Sequence, residues 1–294
     1  MKISRFSLST FSLLIYIISY SACFSEPANG NEGTLYIIGG GRRPATMISE
    51  MVSLAGGENS NILVISTASG DPADVGTYQR DQFLEYGAGQ VQWIHITREN
   101  ANTDTVLEAF ENLTGIFFSG GDQRRLADAM NDTESLKMIK QLYQEGALIA
   151  GTSAGAAIMS KVMITGTELA NPDSTHPFGD LLADNIEVRQ GFGLIETAII
   201  DQHHIRRKRF NRLVSAVLEH PDLLGIGIDE STALIVHGNG MAEISGERCV
   251  YILDASKATK LRRDANNHLT GQELSFHILS NGDVFDLNRK TPGQ

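Results

Sequence analysis

Cysteine is scarce in this chain: its 294 residues include only two, Cys23 and Cys249. Because Cys23 lies at the end of an N-terminal apolar stretch that we expect to be removed or modified, Cys249 has no partner in the mature protein. A domain with one cysteine cannot form an internal disulfide, so its stability must come from an apolar core. The hydrophobic composition of 41% is sufficient for such a core.

Positive charge is also in short supply. Lysine and arginine together number 24, against 35 aspartates and glutamates, which gives a formal charge of −11. A surface this acidic argues against nucleic acid as a partner. It is compatible with a substrate that carries cationic groups, although the same charge also serves solubility.

Long apolar runs are absent after the N-terminus, and the run at the N-terminus is short. Residues 11–20 are apolar, follow Lys2 and Arg5, and precede small residues. This order of basic, apolar and small residues predicts a secretory signal peptide over residues 1–22. The run is too short to span a bilayer comfortably, so we expect an exported protein rather than a membrane-spanning one.

The segment after the apolar run leaves two interpretations open. Ser21-Ala22-Cys23 resembles a bacterial lipobox, in which the cysteine would be acylated and would anchor the protein at the cell envelope. Tyr20 departs from the usual aliphatic residue, so release into the periplasm or the extracellular space is the alternative. In either case we expect residues 23–33 to form a polar tether, and we expect contact with a membrane only through a lipid at Cys23.

Internal repeats, low-complexity tracts and linkers are missing after residue 33, so residues 34–294 are expected to form one domain. Apolar runs of β propensity alternate there with segments of helical period. The runs are short and nearly all apolar, which predicts an α/β fold with a mostly parallel sheet covered on both faces. The pattern becomes irregular beyond residue 160, and the tail from Lys257 is polar and hairpin-like. The predicted strands are 35–38, 62–66, 91–96, 115–118, 148–150, 197–201, 224–229, 234–237 and 249–253, and the predicted helices are 45–55, 77–86, 105–111 and 135–145.

One of these strands ends in an unusual way. The run Gly151-Thr152-Ser153-Ala154-Gly155 follows an apolar strand and turns at once into small, helix-forming residues. Its G-x-S-x-G pattern predicts a nucleophile elbow, in which the glycines make room and the serine hydroxyl is lifted out of the sheet. Backbone N–H groups at the start of the next helix would meet a developing oxyanion. The alternative is an ordinary serine N-cap after a buried strand.

A serine nucleophile needs a base, and the base needs an orienting acid. Two later strands end in such residues: one in His203 and His204, the next in Asp229 and Glu230. Ligands bind at the carboxyl edge of open α/β sheets, so one histidine and one acid are expected beside Ser153. In the alternative interpretation, the histidines are surface residues and the acids cap a turn.

The chain order of these groups distinguishes two classes of serine hydrolase. In α/β-hydrolases the acid precedes the histidine, so the base would have to follow Glu230. His237 lies only seven positions later, whereas His268 and His277 fall in the polar tail. The order serine, histidine, acid is the better one. It argues against a lipase-type esterase.

Cations cluster directly after the histidines: Arg206, Arg207, Lys208, Arg209 and Arg212 lie within seven residues. On a helix Arg209 and Arg212 would lie one turn apart, with Arg206 on the same side. Arginines there would clamp carboxylates bidentately, which predicts a scissile bond close to an acidic group of the substrate. A solvated helix face paired with surface acids is the alternative.

Two glycine runs also end strands. In Ser119-Gly120-Gly121-Asp122-Gln123, the Gly121 N–H could join that of Ala154 in holding the oxyanion, and Gln123 would present a neutral donor and acceptor. The run Gly39-Gly40-Gly41 lacks the full G-x-G-x-x-G spacing, so a dinucleotide cofactor is not expected. Adjacent histidines on a strand point to opposite faces, so a shared metal ion is not expected either.

Four of these motifs occur in the order typical of one peptidase family. Phe118-Ser-Gly-Gly-Asp-Gln, Gly151-Thr-Ser-Ala-Gly-Ala, Asp201-Gln-His and Gly227-Ile-Asp-Glu-Ser-Thr-Ala together resemble the cyanophycinases, serine peptidase family S51, over residues 33–253. The combination is specific, even though each motif alone is not. The resemblance implies the flavodoxin-like, three-layer fold of class I glutamine amidotransferases and aspartyl dipeptidases. It also implies a Ser-His-Glu triad without a cofactor and, as is common in the family, a homodimer.

The resemblance further implies a substrate and residue roles. Cyanophycinases degrade cyanophycin, a poly-aspartate backbone with arginine attached to every side chain, to β-aspartyl-arginine dipeptides. By motif, Ser153 is the nucleophile, His203 the base and Glu230 the acid. The residue after the base is usually aromatic in the family, and here it is His204. The residues assigned to substrate binding are Gln123, Asp122, Gln202, Arg207, Arg209 and Arg212, and those assigned to the oxyanion are Gly121 and Ala154.

The sequence therefore predicts an exported serine exopeptidase that acts on cyanophycin or a related β-aspartyl peptide. Two alternatives stay open: an α-aspartyl dipeptidase, which would need a free N-terminal aspartate, and a cell-surface module that binds the polymer without cleaving it. The motifs do not identify the acidic residues that would bind the substrate arginine.

Overall fold

The computed structural model describes residues 32–170 and 177–293. The predicted signal peptide and Cys23 lie outside the described residues. The strands are β1 (Thr34–Ile38), β2 (Asn61–Ile65), β3 (Gln90–Ile94), β4 (Gly115–Phe118), β5 (Leu148–Thr152), β6 (Val162–Glu168), β7 (Ile186–Gln190), β8 (Ala198–Gln202), β9 (Leu224–Ile228), β10 (Thr232–Val236), β11 (Met241–Gly246), β12 (Val250–Asp254), β13 (Thr259–Arg263), β14 (Leu269–Gln272), β15 (Ser275–Leu279), β16 (Val284–Asp286) and β17 (Thr291–Pro292). The helices are α1 (Ala45–Leu54), α2 (Pro72–Glu85), α3 (Asp104–Glu108), α4 (Gln123–Met130), α5 (Glu134–Gln144), α6 (Ala154–Ala157) and α7 (Phe210–Glu219).

The first five strands form a parallel sheet in the order β1-β5-β4-β2-β3. A helix follows each of the first four strands, as the crossover between parallel strands requires. Every residue of β4 and β5 is buried, because layers cover both faces of the sheet. This part of the structure confirms the predicted α/β fold with a mostly parallel central sheet.

Two helix boundaries differ from the prediction because capping residues define them. α2 begins at Pro72 rather than at residue 77, since the Asp71 carboxylate accepts a hydrogen bond from the Asp74 N–H at 3.3 Å. α4 is absent from the predicted helices, and Asp122 caps it by accepting from the Arg124 N–H at 2.9 Å. Both starts depend on short polar segments that carry little apolar periodicity.

The main sheet continues beyond β1 with antiparallel strands, in the order β10, β11, β16 and β17, and so reaches nine strands. Ala233 of β10 lies opposite Ile38 at the end of β1. The Gly39 N–H then donates to the Thr232 carbonyl at 3.0 Å. The start of β10 and the loop before it therefore lie beside the carboxyl end of β1.

The strands β8 and β9, which precede the candidate histidines and acids, do not belong to this sheet. They pair in parallel with each other and join β12 and β15 in a separate four-stranded sheet. The expectation that one sheet edge presents the serine, the histidines and the acids is corrected here. The chain returns to the main sheet through Asp229-Glu230-Ser231, between the end of β9 and the start of β10, so the two sheets meet at this connection.

The apolar side chains of the main sheet alternate between two buried clusters, as the period of two along a strand requires. Tyr36 and Ile38 pack with the buried faces of α1 and α2. Ile37 and Leu63 belong to a larger cluster that includes α4, α5, α6 and the second sheet. The result is three layers, with the main sheet in the middle.

The remaining elements are small. β6 pairs with β7, and β13 pairs with β14 in the tail that the sequence predicts as hairpin-like. Of the helices that the structure describes, none is long and apolar enough to cross a membrane. Cys249 is a half-buried free thiol.

Replacing Phe117 by alanine tests the packing between the main sheet and α2. The Phe117 side chain is fully buried, and its ring centroid lies 5.2 Å from that of Phe83 on α2. We expect Phe117→Ala to lower the unfolding free energy by about 3–5 kcal/mol, because the strands around the new cavity cannot collapse into it. Urea denaturation followed by circular dichroism measures the change. In the control Tyr78→Ala, the lost ring is 62% exposed and the change should stay within about 0.5 kcal/mol; equal losses would contradict this packing.

Candidate active site

Ser153 lies at the turn between β5 and α6. β5 ends at Thr152 and α6 begins at Ala154, so a single residue makes the change of direction. Ser153 has a φ of 53°, a conformation that costs an L-residue about 1–3 kcal/mol. Its N–H donates to the Ile38 carbonyl at 3.0 Å, which ties the turn to the end of β1. A strained serine between a strand and a helix has the geometry of a nucleophile elbow.

The two glycines of the pattern leave room for this turn. A Cβ atom added to Gly151 would lie 2.4 Å from the Gly155 carbonyl oxygen, and one added to Gly155 would lie 2.3 Å from the Phe118 carbonyl oxygen. Both distances are far below van der Waals contact, so neither position accepts a larger residue unless the backbone moves. The helix can therefore approach the strands closely behind the serine.

His203 follows the last residue of β8 and reaches across to the serine. Its Nε2 atom lies 2.8 Å from the Ser153 Oγ atom. The His203 backbone also has a positive φ, 51°, and its N–H donates to the Gly39 carbonyl at 2.7 Å. This hydrogen bond holds the end of the four-stranded sheet against the end of β1 and so fixes the ring beside the hydroxyl.

Glu230 extends this chain of contacts from the connection between β9 and β10. Its Oε1 atom lies 2.7 Å from the His203 Nδ1 atom. The next residue, Ser231, donates its N–H to the Gly40 carbonyl at 2.9 Å and its hydroxyl to the Arg42 carbonyl at 2.7 Å. Serine, histidine and glutamate thus stand in hydrogen-bond contact in the order that a catalytic triad requires.

The other candidates for base and acid lie elsewhere. The His204 ring is fully buried against Tyr251, at a centroid distance of 5.3 Å, and its Nδ1 atom lies 3.5 Å from an Asp201 carboxylate oxygen. The Asp229 carboxylate accepts a hydrogen bond from the Ile205 N–H at 2.9 Å, so it holds the turn that follows the two histidines. Within the described residues, the later histidines make no hydrogen bond to Ser153; these are His237, His268 and His277.

The run Gly39-Gly40-Gly41, whose role the sequence left open, packs directly against His203 and Glu230. A Cβ atom added to Gly40 would lie 2.3 Å from the His203 Cε1 atom, and one added to Gly41 would lie 2.7 Å from the Glu230 Cβ atom. Gly40 and Gly41 also have φ angles of 104° and 73°, which favour glycine. Three glycines at a strand end are the sequence signal for this close approach, although they do not reveal which side chains they meet.

The pKa of His203 lies below its ordinary value of 6.5. Burial is the largest cause, because an imidazolium loses hydration there; the hydrogen bond with Glu230 opposes it, and the charges of Arg207 and Arg209 lower the pKa further. The carboxyl pKa of Glu230 is lowered in turn, mainly by its hydrogen bond with His203. At neutral pH the imidazole is therefore neutral and can accept a proton, while Glu230 is ionised.

Two backbone N–H groups near Ser153, those of Gly121 and Ala154, have no hydrogen-bond acceptor among the residues that the structure describes. Gly121 has a φ of 143°, and a Cβ atom there would lie 2.0 Å from the Ala68 carbonyl oxygen. A Cβ atom on the preceding Gly120 would lie 3.5 Å from the Ser153 Cβ atom, so this loop runs alongside the serine. Unpaired donors at these two positions are what an oxyanion hole requires.

The cations after His203 lie in a turn rather than on a helix. Residues 204–208 form this turn and α7 begins at Phe210, so the helical arrangement considered for Arg206, Arg209 and Arg212 does not hold before that residue. Lys208 has a φ of 53°, which interrupts helical geometry, and the Arg207 N–H donates to the His203 carbonyl at 2.9 Å. Three cations of the turn are exposed: Arg206, Arg207 and Lys208.

Two arginines of the cluster are bonded within the protein. The Arg209 Nη1 atom donates to the Gln202 carbonyl at 2.7 Å and also contacts its side-chain oxygen. Arg212 donates from Nε to an Asp201 carboxylate oxygen at 3.0 Å, and a second contact joins its Nη2 atom to the other oxygen. Burial raises the pKa of Asp201, but the charge and hydrogen bonds of Arg212, together with those of His204, outweigh burial and hold the pKa well below its ordinary value. The Arg212 guanidinium, which we expected to clamp a substrate carboxylate, is therefore held by Asp201, to which the sequence assigned no role in the site.

Gln123 and Asp122 also make internal contacts. Gln123 is buried, and its Nε2 atom donates to the Ile164 carbonyl at 2.8 Å and to the Thr165 carbonyl at 3.1 Å. Its amide hydrogens therefore hold β6 in place. The Asp122 carboxylate caps α4 and pairs with the Arg124 guanidinium at 2.7 Å. Both residues directly follow the loop that carries Gly121.

Comparison with known proteins relates this chain to one peptidase family. The model of peptidase family S51 matches residues 35–244. A cyanophycinase from Trichormus variabilis is 38% identical over 242 residues, which cover 81% of this chain and 78% of the relative. A cyanophycinase from Synechococcus elongatus is 33% identical over 267 residues, 88% of this chain and 80% of the relative. The crystal structure of a peptidase from an acI-B1 actinobacterium covers 87% of this chain and 97% of its own, with a TM-score of 0.63 at 22% identity, and thus shares the fold.

A methyl group at Gly40 should separate the histidine from the serine. In Gly40→Ala the new Cβ atom would overlap the His203 ring, so the ring must move away from the Ser153 Oγ atom. We expect labelling of Ser153 by a serine-reactive phosphonate, followed by mass spectrometry, to slow at least about 100-fold, since a nucleophile without its base loses activation. The control is Gly56→Ala, because Gly56 has a similar φ of 110° but its nearest neighbour would lie 3.7 Å from the new atom. Equal labelling of both variants would contradict a role for Gly40 in placing the ring.

Removing the charge of Arg207 should raise the pKa of His203. The positive charge of Arg207 repels the protonated ring and so lowers this pKa. In Arg207→Gln that repulsion is absent, so we expect the ring to become protonated at a higher pH. NMR titration of histidine ring resonances, assigned with a His203→Asn variant, measures the change. Arg262→Gln, on the β13 strand, is the control and should leave the pKa unchanged. A His203 pKa that stays constant or falls in Arg207→Gln would contradict the electrostatic account.

Proposed function

Because this chain belongs to peptidase family S51, we propose that it is a serine exopeptidase that hydrolyses cyanophycin or a related β-aspartyl peptide, with Ser153 as nucleophile. The observation that carries the proposal is the continuous hydrogen-bonded chain from Ser153 through His203 to Glu230, with distances of 2.8 and 2.7 Å. The relatives named cyanophycinase, at 38% and 33% identity over most of the chain, support the substrate.

In the proposed acylation step, the Ser153 Oγ atom attacks the carbonyl carbon of the scissile peptide bond while its proton passes to His203 Nε2. The carbonyl oxygen takes up the negative charge and is held by the N–H groups of Gly121 and Ala154. The Glu230 carboxylate accepts the hydrogen bond from Nδ1–H and stabilises the imidazolium. The depressed pKa of His203 favours this step, because the ring is neutral before the reaction.

The carbon–nitrogen bond then breaks, and the departing amine takes the proton from His203 Nε2, which leaves an acyl ester on Ser153. A water molecule enters, gives a proton to the same nitrogen and attacks the ester carbonyl. Collapse of this second tetrahedral intermediate releases the acid product and returns the proton to the serine oxygen. The proposed reaction uses the chain's own groups and water, and it needs no cofactor.

The exposed cations of the turn support a substrate with carboxylates near the scissile bond. Arg206 and Arg207 lie in the turn that follows His203, where the Arg207 N–H donates to the His203 carbonyl at 2.9 Å. Their charges lower the carboxyl pKa of Glu230, and that of Arg207 also lowers the pKa of His203. Each unit of cyanophycin carries the free carboxylate of its arginine, which such guanidiniums can bind. Arg212 would act differently, since it pairs with Asp201, and it would support the substrate pocket rather than line it.

We also propose, from its N-terminal sequence alone, that the protein is exported. Lys2 and Arg5, the apolar residues 11–20 and the small residues before Cys23 support a signal peptide. Acylation at Cys23 would keep the enzyme at the cell envelope, whereas cleavage alone would release it. A homodimer, which the family resemblance implies, stays a prediction.

The Ser153→Ala variant tests the proposed function. Wild-type protein incubated with cyanophycin should release β-aspartyl-arginine dipeptides, detected by mass spectrometry, and Ser153→Ala should release them at least about 10⁴-fold more slowly because the nucleophile is gone. Ser53→Ala on the exposed face of α1 is the matched control and should retain full activity. Thermal unfolding verifies that both variants are folded.

Three outcomes would contradict this assignment. Dipeptide release by Ser153→Ala would exclude Ser153 as nucleophile. Cleavage of α-aspartyl dipeptides by the wild type, without action on the polymer, would identify an aspartyl dipeptidase instead. Binding of the polymer without turnover, and without labelling by a serine-reactive phosphonate, would identify a non-catalytic binding protein.

A further inference from the structure

A cavity of about 530 Å³ opens beside the candidate site, on the far side of the Gly121 loop from Ser153. The loops that follow β2 and β3 form two of its walls, and α4 forms the third. These are carboxyl ends of parallel strands, the edge where ligands bind in this class of fold. The volume lies in the range that accommodates a small molecule or one unit of a peptide polymer.

The Gly120-Gly121 loop forms the partition between the serine and this cavity. On one side, a Cβ atom on Gly120 would lie 3.5 Å from the Ser153 Cβ atom. On the other side, a Cβ atom on Gly121 would lie 3.0 Å from the Ser69 Cα atom, and Ser69 lines the cavity. Because neither glycine has a side chain, this thin loop packs directly against the Ala68-Ser69 backbone on one side and lies beside Ser153 on the other.

The cavity presents charges of both signs that make hydrogen bonds but have no ion-pair partner among the described residues. Arg125 donates from Nη1 to the Ser69 carbonyl at 2.7 Å, and Arg98 donates to the Asn131 carbonyl. In residues 32–170 and 177–293, neither guanidinium and no oxygen of the Glu99 carboxylate lies within ion-pair distance of an opposite charge. Exposed cations in this acidic chain commonly pair with acids, as Arg189 does with Asp128 at 3.2 Å. Asp128 also lines the cavity, but it is the acid already paired with Arg189. Two guanidiniums and one carboxylate without an ion-pair partner therefore remain around the cavity, which suits a ligand that is itself dipolar.

Apolar residues line the space between these charges. Ile96 and Ala129 are buried and contribute to the cavity wall, together with Pro72 at the start of α2. An arginine side chain has the matching composition: an apolar stem with a charged head. A β-aspartyl-arginine unit in cyanophycin adds the free α-carboxylate of the same arginine at the other end of that stem.

We propose that this cavity is a distal subsite that binds a second β-aspartyl-arginine unit of the substrate, one removed from the unit at the scissile bond. Glu99 binds the guanidinium, Arg98 and Arg125 bind the carboxylate, and the apolar wall contacts the stem between them. The inference rests on the proposed function, since it presumes a substrate made of such units. A subsite at this position predicts that the enzyme prefers oligomers long enough to reach across the Gly121 loop.

Substrate length separates this subsite from the catalytic centre. The test compares kcat and KM on a dimer of β-aspartyl-arginine, which has one scissile bond, with those on an oligomer of four or more units. Glu99→Gln and Arg98→Gln should each lower kcat/KM on the longer oligomer by about 10-fold, the factor that corresponds to one charge-assisted hydrogen bond. The change should appear in KM, and activity on the dimer should stay within about two-fold of the wild type, the scatter allowed to surface changes.

Matched controls remove equal charges from surfaces away from the cavity. Glu85→Gln at the end of α2 and Arg262→Gln on β13 are exposed and should behave as wild type on both substrates. An equal loss on dimer and oligomer in Glu99→Gln and Arg98→Gln would overturn the subsite, because such residues would act on the catalytic centre or on folding. No loss on either substrate would overturn it as well.

Binding to Ser153→Ala gives a readout that does not depend on turnover. Isothermal titration calorimetry of this variant should show tighter binding of the longer oligomer than of the dimer, and addition of Glu99→Gln should remove the difference. That result supports the subsite even if the wild type cleaves neither oligomer, in which case the proposed catalytic function alone fails. Equal affinity for both lengths in Ser153→Ala would overturn the subsite whatever the catalytic result.

Discussion

The hydrogen bond from the His203 N–H to the Gly39 carbonyl, at 2.7 Å, joins the ends of two separate sheets at the point where the reactive groups meet. The Ser231 N–H bond to the Gly40 carbonyl, at 2.9 Å, makes a second link on the acid side. Both links require close approach, and the glycines after β1 permit it. A side chain at Gly39 would overlap the backbone at the end of β9, and one at Gly40 or Gly41 would overlap the histidine ring or the glutamate. These two backbone bonds hold the end of β8 and the connection before β10 against the end of β1, where Ser153, His203 and Glu230 are in contact.

Two parts of the fold, the elbow and the parallel strands, could be predicted because a short stretch of sequence determines each of them. The elbow at Ser153 is specified by the five residues around it, and the parallel strands by short apolar runs separated by helices. The division of strands between two sheets was not predictable, because β8 and β9 are short, largely apolar strands like β4 and β5 and their pairing is decided by distant parts of the chain. Helix α7 begins only at Phe210, because hydrogen bonds with His203, His204 and Asp229 hold the preceding residues in a turn. Intrinsic helix propensity does not include such contacts, so the start of this helix could not be predicted from it.

The candidate site shows the same division between local and distant information. The residues alone left two histidines and two acids open, and the family motif favoured His203 and Glu230, which are the pair in contact with Ser153. The pairing of Asp201 with Arg212 was missed, since a charge at a strand end and an arginine in a basic run each suggest solvent or substrate. Only the packing of α7 on the second sheet brings them together away from water, where neither charge is tolerable without the other.

The placement of Glu230 on the connection between the two sheets has a consequence for how the protein matures. The serine belongs to the nine-stranded sheet, whereas the histidine and the glutamate follow strands of the four-stranded one. A chain that has formed only one of these sheets holds a hydroxyl without a base, or a base without a hydroxyl. Competence to cut peptide bonds would therefore arise in the same event that docks the two sheets, and a partly folded copy would not yet hold the three groups in contact.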